Sequence, residues 1–332
     1  MPAEWERHVA TWIAWPHNQD DWPGRFEPIP WVYAGIVRTL AAVERVRIAV
    51  QDSEAEDGAR RLLNKTGADL NAVSFHHFPT DRVWTRDFAP TFVSSRDEVA
   101  AVKWRFNAWA KYDDWKLDDA AGWRIAEAAG TRCWEAPIVL EGGSIDVNGA
   151  GWVMTTEECL LSPVQARNPG ISREQIEAVL SDYLGIRRVL WLRNGIAGDD
   201  THGHIDDLAR FIDSETIAIA RELDRGDANY EPLRENREIL DQYPFRIIEL
   251  PMPARVEFDG QRLPASYANF YIANQVVLVP TFNDANDRVA LNVLADAMPG
   301  RRVIGIDCTE LVWGLGTLHC MTQQQPAVSI AG

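Results

Sequence analysis

Short apolar runs rich in β-branched residues and bounded by turn residues recur along the chain, at positions 46–50, 90–93, 152–155, 216–220 and 275–280. Runs of this length, closed by glycine, proline, asparagine or aspartate, read as buried strands. Between several of them lie stretches with apolar residues at helical spacing, at 32–42, 172–184 and 288–297. The second opens with Ser172 and Gln175, a capping box in which each side chain satisfies the other residue's backbone N–H and so marks a helix start. Strands and helices interleaved throughout predict an α/β or α+β chain.

Composition narrows this picture. With 332 residues, 46% hydrophobic and 25% charged, the chain can bury a large core without disulfides or metal. No stretch rich in glycine, serine and proline offers a linker, so residues 1–332 are expected to form one domain. The formal net charge of −16 argues against nucleic acid or an anionic membrane as partner and favours cationic ligands. The start, Met1-Pro2-Ala3-Glu4-Trp5, lacks a basic segment followed by an apolar core. No apolar run approaches the roughly 20 residues of a membrane span, so a cytoplasmic protein is expected. Four cysteines, Cys133, Cys159, Cys308 and Cys320, show no zinc-ribbon or CxxC spacing, which fits reduced thiols.

Candidate chemistry gathers in five places. Cys320 follows the Gly314-Leu315-Gly316 turn; taken alone, a free cysteine is usually a small core residue, the reading that Cys133, Cys159 and Cys308 keep. The segment from Asp199 to Asp207 is dense in titratable groups. If it is extended, His202, His204 and Asp206 share one face, able either to bind zinc or to set a general base beside a substrate-holding carboxylate. H-x-H-x-D resembles the metal signature of metallo-β-lactamase-like hydrolases. That signature continues with a second histidine, where Asp207 stands here, and His8, His17, His76, His77 and His319 supply no obvious remaining ligand set. Trp84-Thr85-Arg86-Asp87 precedes an apolar run, Glu141 precedes Gly142-Gly143, and Asn269 sits among Tyr267, Phe270 and Tyr271. Arg86-Asp87 has an ordinary reading as a surface ion pair and Glu141 as a turn, and none of the three is specific by itself. By subtraction, however, Asp87, Glu141, His204, Asn269 and Cys320 are 54, 63, 65 and 51 positions apart, as if each came from one of five similar units pointing a loop at a shared axis.

Taken in order, W-x-R-D, E-G-G, G-H-x-D, S-Y-x-N-F-Y and H-C-x-T-Q-Q resemble the agmatine deiminase and bacterial peptidyl-arginine deiminase family. The resemblance runs from Met1-Pro2-Ala3-Glu4-Trp5 through Asn168-Pro169-Gly170 to Cys320-Met321-Thr322-Gln323-Gln324-Gln325-Pro326. It implies a pentein, the pseudo-symmetric five-bladed α/β propeller of guanidine-modifying enzymes. It also implies hydrolysis of a guanidinium through a thiouronium intermediate on Cys320, most simply agmatine plus water to N-carbamoylputrescine plus ammonia. In that reading Asp87 and Asp206 hold the planar cation, His204 moves protons, Asn269 and Glu141 support the centre, and Trp84 is a candidate partner for the distal ammonium of the substrate. Trp15, Asp21 and Asp199 are further candidates for the distal ammonium. No cofactor or metal is called for, and a homodimer is compatible. Arginine or peptidyl-arginine as substrate, amidino transfer to an amine, a zinc hydrolase and a non-catalytic amine binder are the alternatives. Two departures adjoin the site: Phe88-Ala89 replaces a common Thr-Gly, and Gly314-Leu315-Gly316-Thr317-Leu318 replaces a run ending Gly-Gly-Gly-Asn-Ile. Carboxylates near Cys320 should raise its pKa and keep it a thiol until a cation binds, unless a protonated His204 first forms a thiolate and imidazolium pair with it.

Overall fold

The computed structural model describes residues 1–328. The apolar runs lie in the strands Arg45–Val50, Thr91–Ser94, Trp152–Thr156, Thr216–Arg221 and Val276–Thr281. The amphipathic stretches form the helices Ile29–Ala41, Arg173–Leu184 and Asp287–Ala297, and the capping box of Ser172 and Gln175 is in place. Val276–Thr281 is buried at every position but the last, which is why it reads as a continuous apolar run rather than an alternating one.

The strands form five separate sheets and one small hairpin, and no sheet among the described residues closes on itself. The sheets follow one plan. A short first strand runs antiparallel to a middle strand, which runs parallel to a third strand reached through a helix, as a parallel connection requires. Thr91–Ser94, Val99–Arg105 and Arg132–Val139 make one such unit, with the helix Lys116–Ala128 as crossover. Asp146–Val147, Trp152–Thr156 and Arg188–Leu192 make the next. Ala209–Phe211, Thr216–Arg221 and Arg246–Pro251 follow, then Tyr271–Ile272, Val276–Thr281 and Arg302–Asp307. In the remaining sheet the short strand comes from the far end of the chain: Gln323–Pro326 pairs antiparallel with His8–Ala14, which pairs parallel with Arg45–Val50. Val73–His77 adds a further parallel edge there.

This plan places the candidate residues. Asp87, Glu141, His204 with Asp206, Asn269 and Cys320 each stand a few positions before the short first strand of a different unit. Their near-regular spacing in sequence therefore has a structural origin. No helix among the described residues is long and apolar enough to cross a membrane.

Candidate active site

Cys320 is reached through a tight loop. After the 3-10 turn Leu311–Gly314 the backbone enters the left-handed region at Leu315, with φ of +67°. Gly316 then packs so closely that an added Cβ would lie 2.7 Å from the Trp84 ring and 3.1 Å from Cys320 Cβ. Asn269 anchors residues 317–320. Its Oδ1 accepts from Thr317 Oγ1 at 2.8 Å, His319 N at 3.0 Å and Cys320 N at 3.4 Å. Its Nδ2 donates to Asp207 Oδ1 at 3.0 Å and to Cys320 Sγ at 3.1 Å. A buried amide with all its capacity used in this way holds the thiol in one place.

The acids surround that thiol from other units. Asp87, in the short helix Thr85–Phe88, accepts from Trp109 Nε1 and from Gly143 N, both at 3.0 Å. Asp206 Oδ2 lies 3.8 Å from Cys320 Sγ and 2.7 Å from His319 Nδ1. His204 is fully buried, with Nε2 3.5 Å from Glu141 Oε2 and Nδ1 3.8 Å from Asp87 Oδ1 and 4.0 Å from Asp206 Oδ1. These are ion-pair approaches without hydrogen-bond alignment, so both His204 nitrogens, Glu141 Oε2 and Asp206 Oδ1 lack hydrogen-bond partners. Gly143 makes the convergence fit: a Cβ there would sit 2.6 Å from His204 Nδ1 and 2.8 Å from Asp87 Oδ1.

Burial among like charges sets the protonation. Burial, then the charges of Asp206, Asp207 and Asp87, push the Cys320 thiol well above its ordinary value. Burial raises Asp87 to about 6, with Asp206 and Glu141 adding to the effect against the opposing pull of His204. For His204 burial favours the neutral ring, but Asp87 and the other neighbours outweigh it and hold the imidazole well above its ordinary range. Glu141 resists the effect of burial because Arg167 pairs with it at 3.1 Å, and it falls to about 2.

A cavity of about 250 Å³ opens onto Cys320, Asp87 and Trp84. Asp20, Asp21, Arg82, Trp109, Tyr112 and Asp200 are also on its walls. His204, Asp206, Glu141 and Asn269 lie behind this lining, fully buried. Two readings from the sequence need correction. The segment after Asp199 is not extended: His202 has a φ of +63° and residues Ile205–Asp207 form a 3-10 turn. His202 therefore turns away to Ser162 Oγ, 3.2 Å distant, and shares no face with His204 and Asp206. Nor is Arg86-Asp87 a surface ion pair, for both are buried and Arg86 pairs with Glu4. Trp15 and Asp199 are absent from the cavity lining, and Asp199 instead accepts backbone N–H groups of Thr201, Gly203 and His204. Cys159, read as plain core, is buried but stands close to Glu141 and His204.

Sequence reasoning missed a buried charge network behind the site. Glu4 faces Arg86 at 3.2 Å, Arg210 at 2.9 Å and His319 Nε2 at 2.8 Å, and its carboxyl is held well below the usual range despite burial. His319 thereby links Glu4 to Asp206. Replacing Glu4 with alanine leaves the buried Arg86 without a carboxylate partner, while Arg210 keeps Asp146; a loss of stability of about 3–5 kcal/mol in urea denaturation is expected.

Two triads bring metal-capable donors within 4.8 Å of one another, Glu141 with Cys159 and His204, and Asp206 with Asp207 and Cys320. Glu141 is already paired with Arg167, and the second triad has no imidazole, so neither is the His-rich open set of a catalytic zinc.

The protein proposed as the agmatine deiminase of Legionella pneumophila (strain Paris) is 36% identical to this chain, over 98% of this chain and 95% of that protein. Among solved structures, a cysteine-to-serine variant of C. jejuni agmatine deiminase with substrate bound matches at 32% identity and TM-score 0.90, covering 98% of this chain and 95% of the other. The agmatine deiminase of Enterococcus faecalis matches at 31% identity and TM-score 0.93, covering 99% and 96%. A family match spans residues 1–326, nearly the whole chain, and with it the five loops that converge on Cys320. The chain belongs to the Porphyromonas-type peptidyl-arginine deiminase family.

Proposed function

We propose that this protein hydrolyses agmatine to N-carbamoylputrescine and ammonia, with Cys320 as nucleophile. The observation that carries this reading is the group of buried, unpartnered acceptor atoms around the His204 ring, with Asp206 3.8 Å from the Cys320 sulfur. Asp206 Oδ1 and Glu141 Oε2 are acceptors without donors, next to the His204 ring and the Asp87 carboxylate. Buried acceptors of this kind are costly unless a ligand supplies N–H groups. A guanidinium supplies five donors in a plane and stays charged at any physiological pH. The likeness to two agmatine deiminase structures supports the same substrate.

In this reading Asp87 and Asp206 pair with the cation, each charge-assisted bond contributing about 1.5–3 kcal/mol. The bound positive charge also offsets the carboxylates that suppress ionisation of Cys320, so with substrate in place the thiol releases its proton to solvent through the cavity and the thiolate forms. Sγ attacks the guanidinium carbon, His204 passes a proton to the departing nitrogen, and ammonia leaves. An S-alkylthiouronium remains. Water deprotonated by His204 attacks it, the carbon–sulfur bond breaks, and the urea product departs with the thiolate restored. Glu141 keeps the imidazole oriented. The repeated units, each sending one loop to the centre, form a single domain arranged as a five-bladed propeller around that centre.

The amine end of agmatine meets Asp21. This buried carboxylate lines the cavity, its Oδ1 is paired with Arg82, and its Oδ2 has no partner. Burial raises Asp21 to about 7, with Asp114 and Asp20 adding to the effect against Arg82. Below that pH the carboxyl is neutral and the ammonium loses its counter-charge. The KM for agmatine is therefore expected to rise as pH falls from 8 to 7, above the range in which Asp87 titrates, and Asp21→Asn should remove most of that dependence.

Ammonia release measured over agmatine, arginine, blocked arginine peptides and other guanidines tests the proposal. Release that is fastest from agmatine supports it; release from none of them refutes it.

A further inference from the structure

We infer that Leu315 is a size filter at the mouth of the cavity, admitting guanidines on slender alkyl chains and holding back guanidines carried on a peptide backbone. The inference rests on the proposed deiminase reading and adds to it a residue that sets selectivity. Leu315 is the only side chain in the turn of residues 314–316. The glycines on either side are sterically required: a Cβ on Gly314 would lie 2.6 Å from the Trp22 indole, and one on Gly316 would lie 2.7 Å from that of Trp84. Those two indoles pack together with centroids 5.7 Å apart. The loop is thus clamped, and Leu315 is forced into the left-handed region that a bulky residue rarely adopts. Strain of this kind persists where the surroundings over-determine it, and it clusters at ligand sites.

Position gives the strain a use. Leu315 lines the same cavity as Cys320, yet it is half-buried where Cys320, Trp84 and Asp87 are buried, so it stands nearer the rim. The same lining includes Asp20, which is exposed, and the half-buried Tyr112 and Asp200. An isobutyl group there offers apolar contact to the methylenes of an extended alkylguanidine. It also occupies space that the flanking peptide groups of an arginine residue would need.

The test uses the full chain as wild type, Leu315→Gly and Leu315→Ala, with agmatine and N-acetyl-arginine amide as substrates. Alanine keeps the strained backbone while removing the bulk; glycine removes both. The ratio of kcat/KM for agmatine over the blocked arginine should fall at least about tenfold in both variants, the scale of discrimination that a few methylenes provide. The kcat for agmatine should stay within about twofold, and the thermal midpoint should rise only for Leu315→Gly. An unchanged ratio, or a loss confined to the agmatine kcat, overturns the filter. Calorimetric Kd values for the same two ligands, measured with Cys320→Ala added to each protein, give the ratio independently of turnover. A wild type that releases no ammonia therefore sinks the deiminase reading, while the filter stands or falls on Kd.

Discussion

Cys320→Ala is expected to lower ammonia release from agmatine by at least about 10⁴-fold, as removal of a covalent nucleophile does elsewhere. The folded state and substrate binding should survive. The substitution removes one sulfur from a buried position whose backbone N–H is held by Asn269, and it leaves Asp87, Asp206 and Asp21 in place to bind the substrate. Calorimetry with agmatine should therefore show a Kd no weaker than that of the wild type. Cys320→Ser should be equally inactive, because a hydroxyl needs a dedicated base and the groups around the sulfur are an amide donor and a carboxylate 3.8 Å away. Activity within about tenfold of wild type in either variant would remove Cys320 from the mechanism.

His204→Gln is expected to lower kcat by about 10²–10⁴-fold, the range of general acid–base catalysis. It should also raise KM. His204 is the buried cationic partner of Asp87, Glu141 and Asp206, and Glu141 alone among them has an arginine beside it in the site. Without the imidazolium, Asp87 loses the attraction that limits its rise to about 6 and becomes protonated at higher pH. The acid limb of the kcat/KM profile should then move upward in pH. In the proposed mechanism Asp87 holds the guanidinium as an anion, so less of the enzyme is competent at neutrality. A variant with altered KM but full kcat would show that His204 serves binding alone.

The hydrophobic pattern exposed the long strands and helices because each is long enough to carry its own periodicity. Short first strands such as Asp146–Val147 and Tyr271–Ile272 span two residues and have none, so the repeated unit showed only through the spacing of the polar residues ahead of them. Asp87, His204, Asp206, Asn269 and Cys320 were legible as a set because the family resemblance joined motifs that are individually ordinary. Glu4, Arg86, Arg210 and His319 were not, since what makes them part of the site is burial against one another across long separations; Glu4 and His319 are 315 positions apart. The clue available was that Glu4, Arg86 and His319 fall inside the motifs that carry the resemblance, and none of those motifs shows what the three residues touch. Among the aromatic and acidic residues, position along the chain could not separate Asp21, which faces the cavity, from Asp199, which braces a turn.

Charge explains why a thiol serves here at all. Burial and the neighbouring Asp206, Asp207 and Asp87 carboxylates push the Cys320 thiol well above its ordinary value, and in the proposed mechanism a bound cation offsets that effect. Reactivity is thereby tied to occupancy: alkylation of Cys320 should accelerate when a non-reactive guanidinium fills the site beyond the alkylating agent's approach.

Mass spectrometry of enzyme quenched in acid during turnover of agmatine tests the covalent role of Cys320 most directly. The expected result is a mass gain equal to agmatine less ammonia, carried on the peptide that contains Cys320. Turnover without that gain, or with the gain on Cys159, would contradict it.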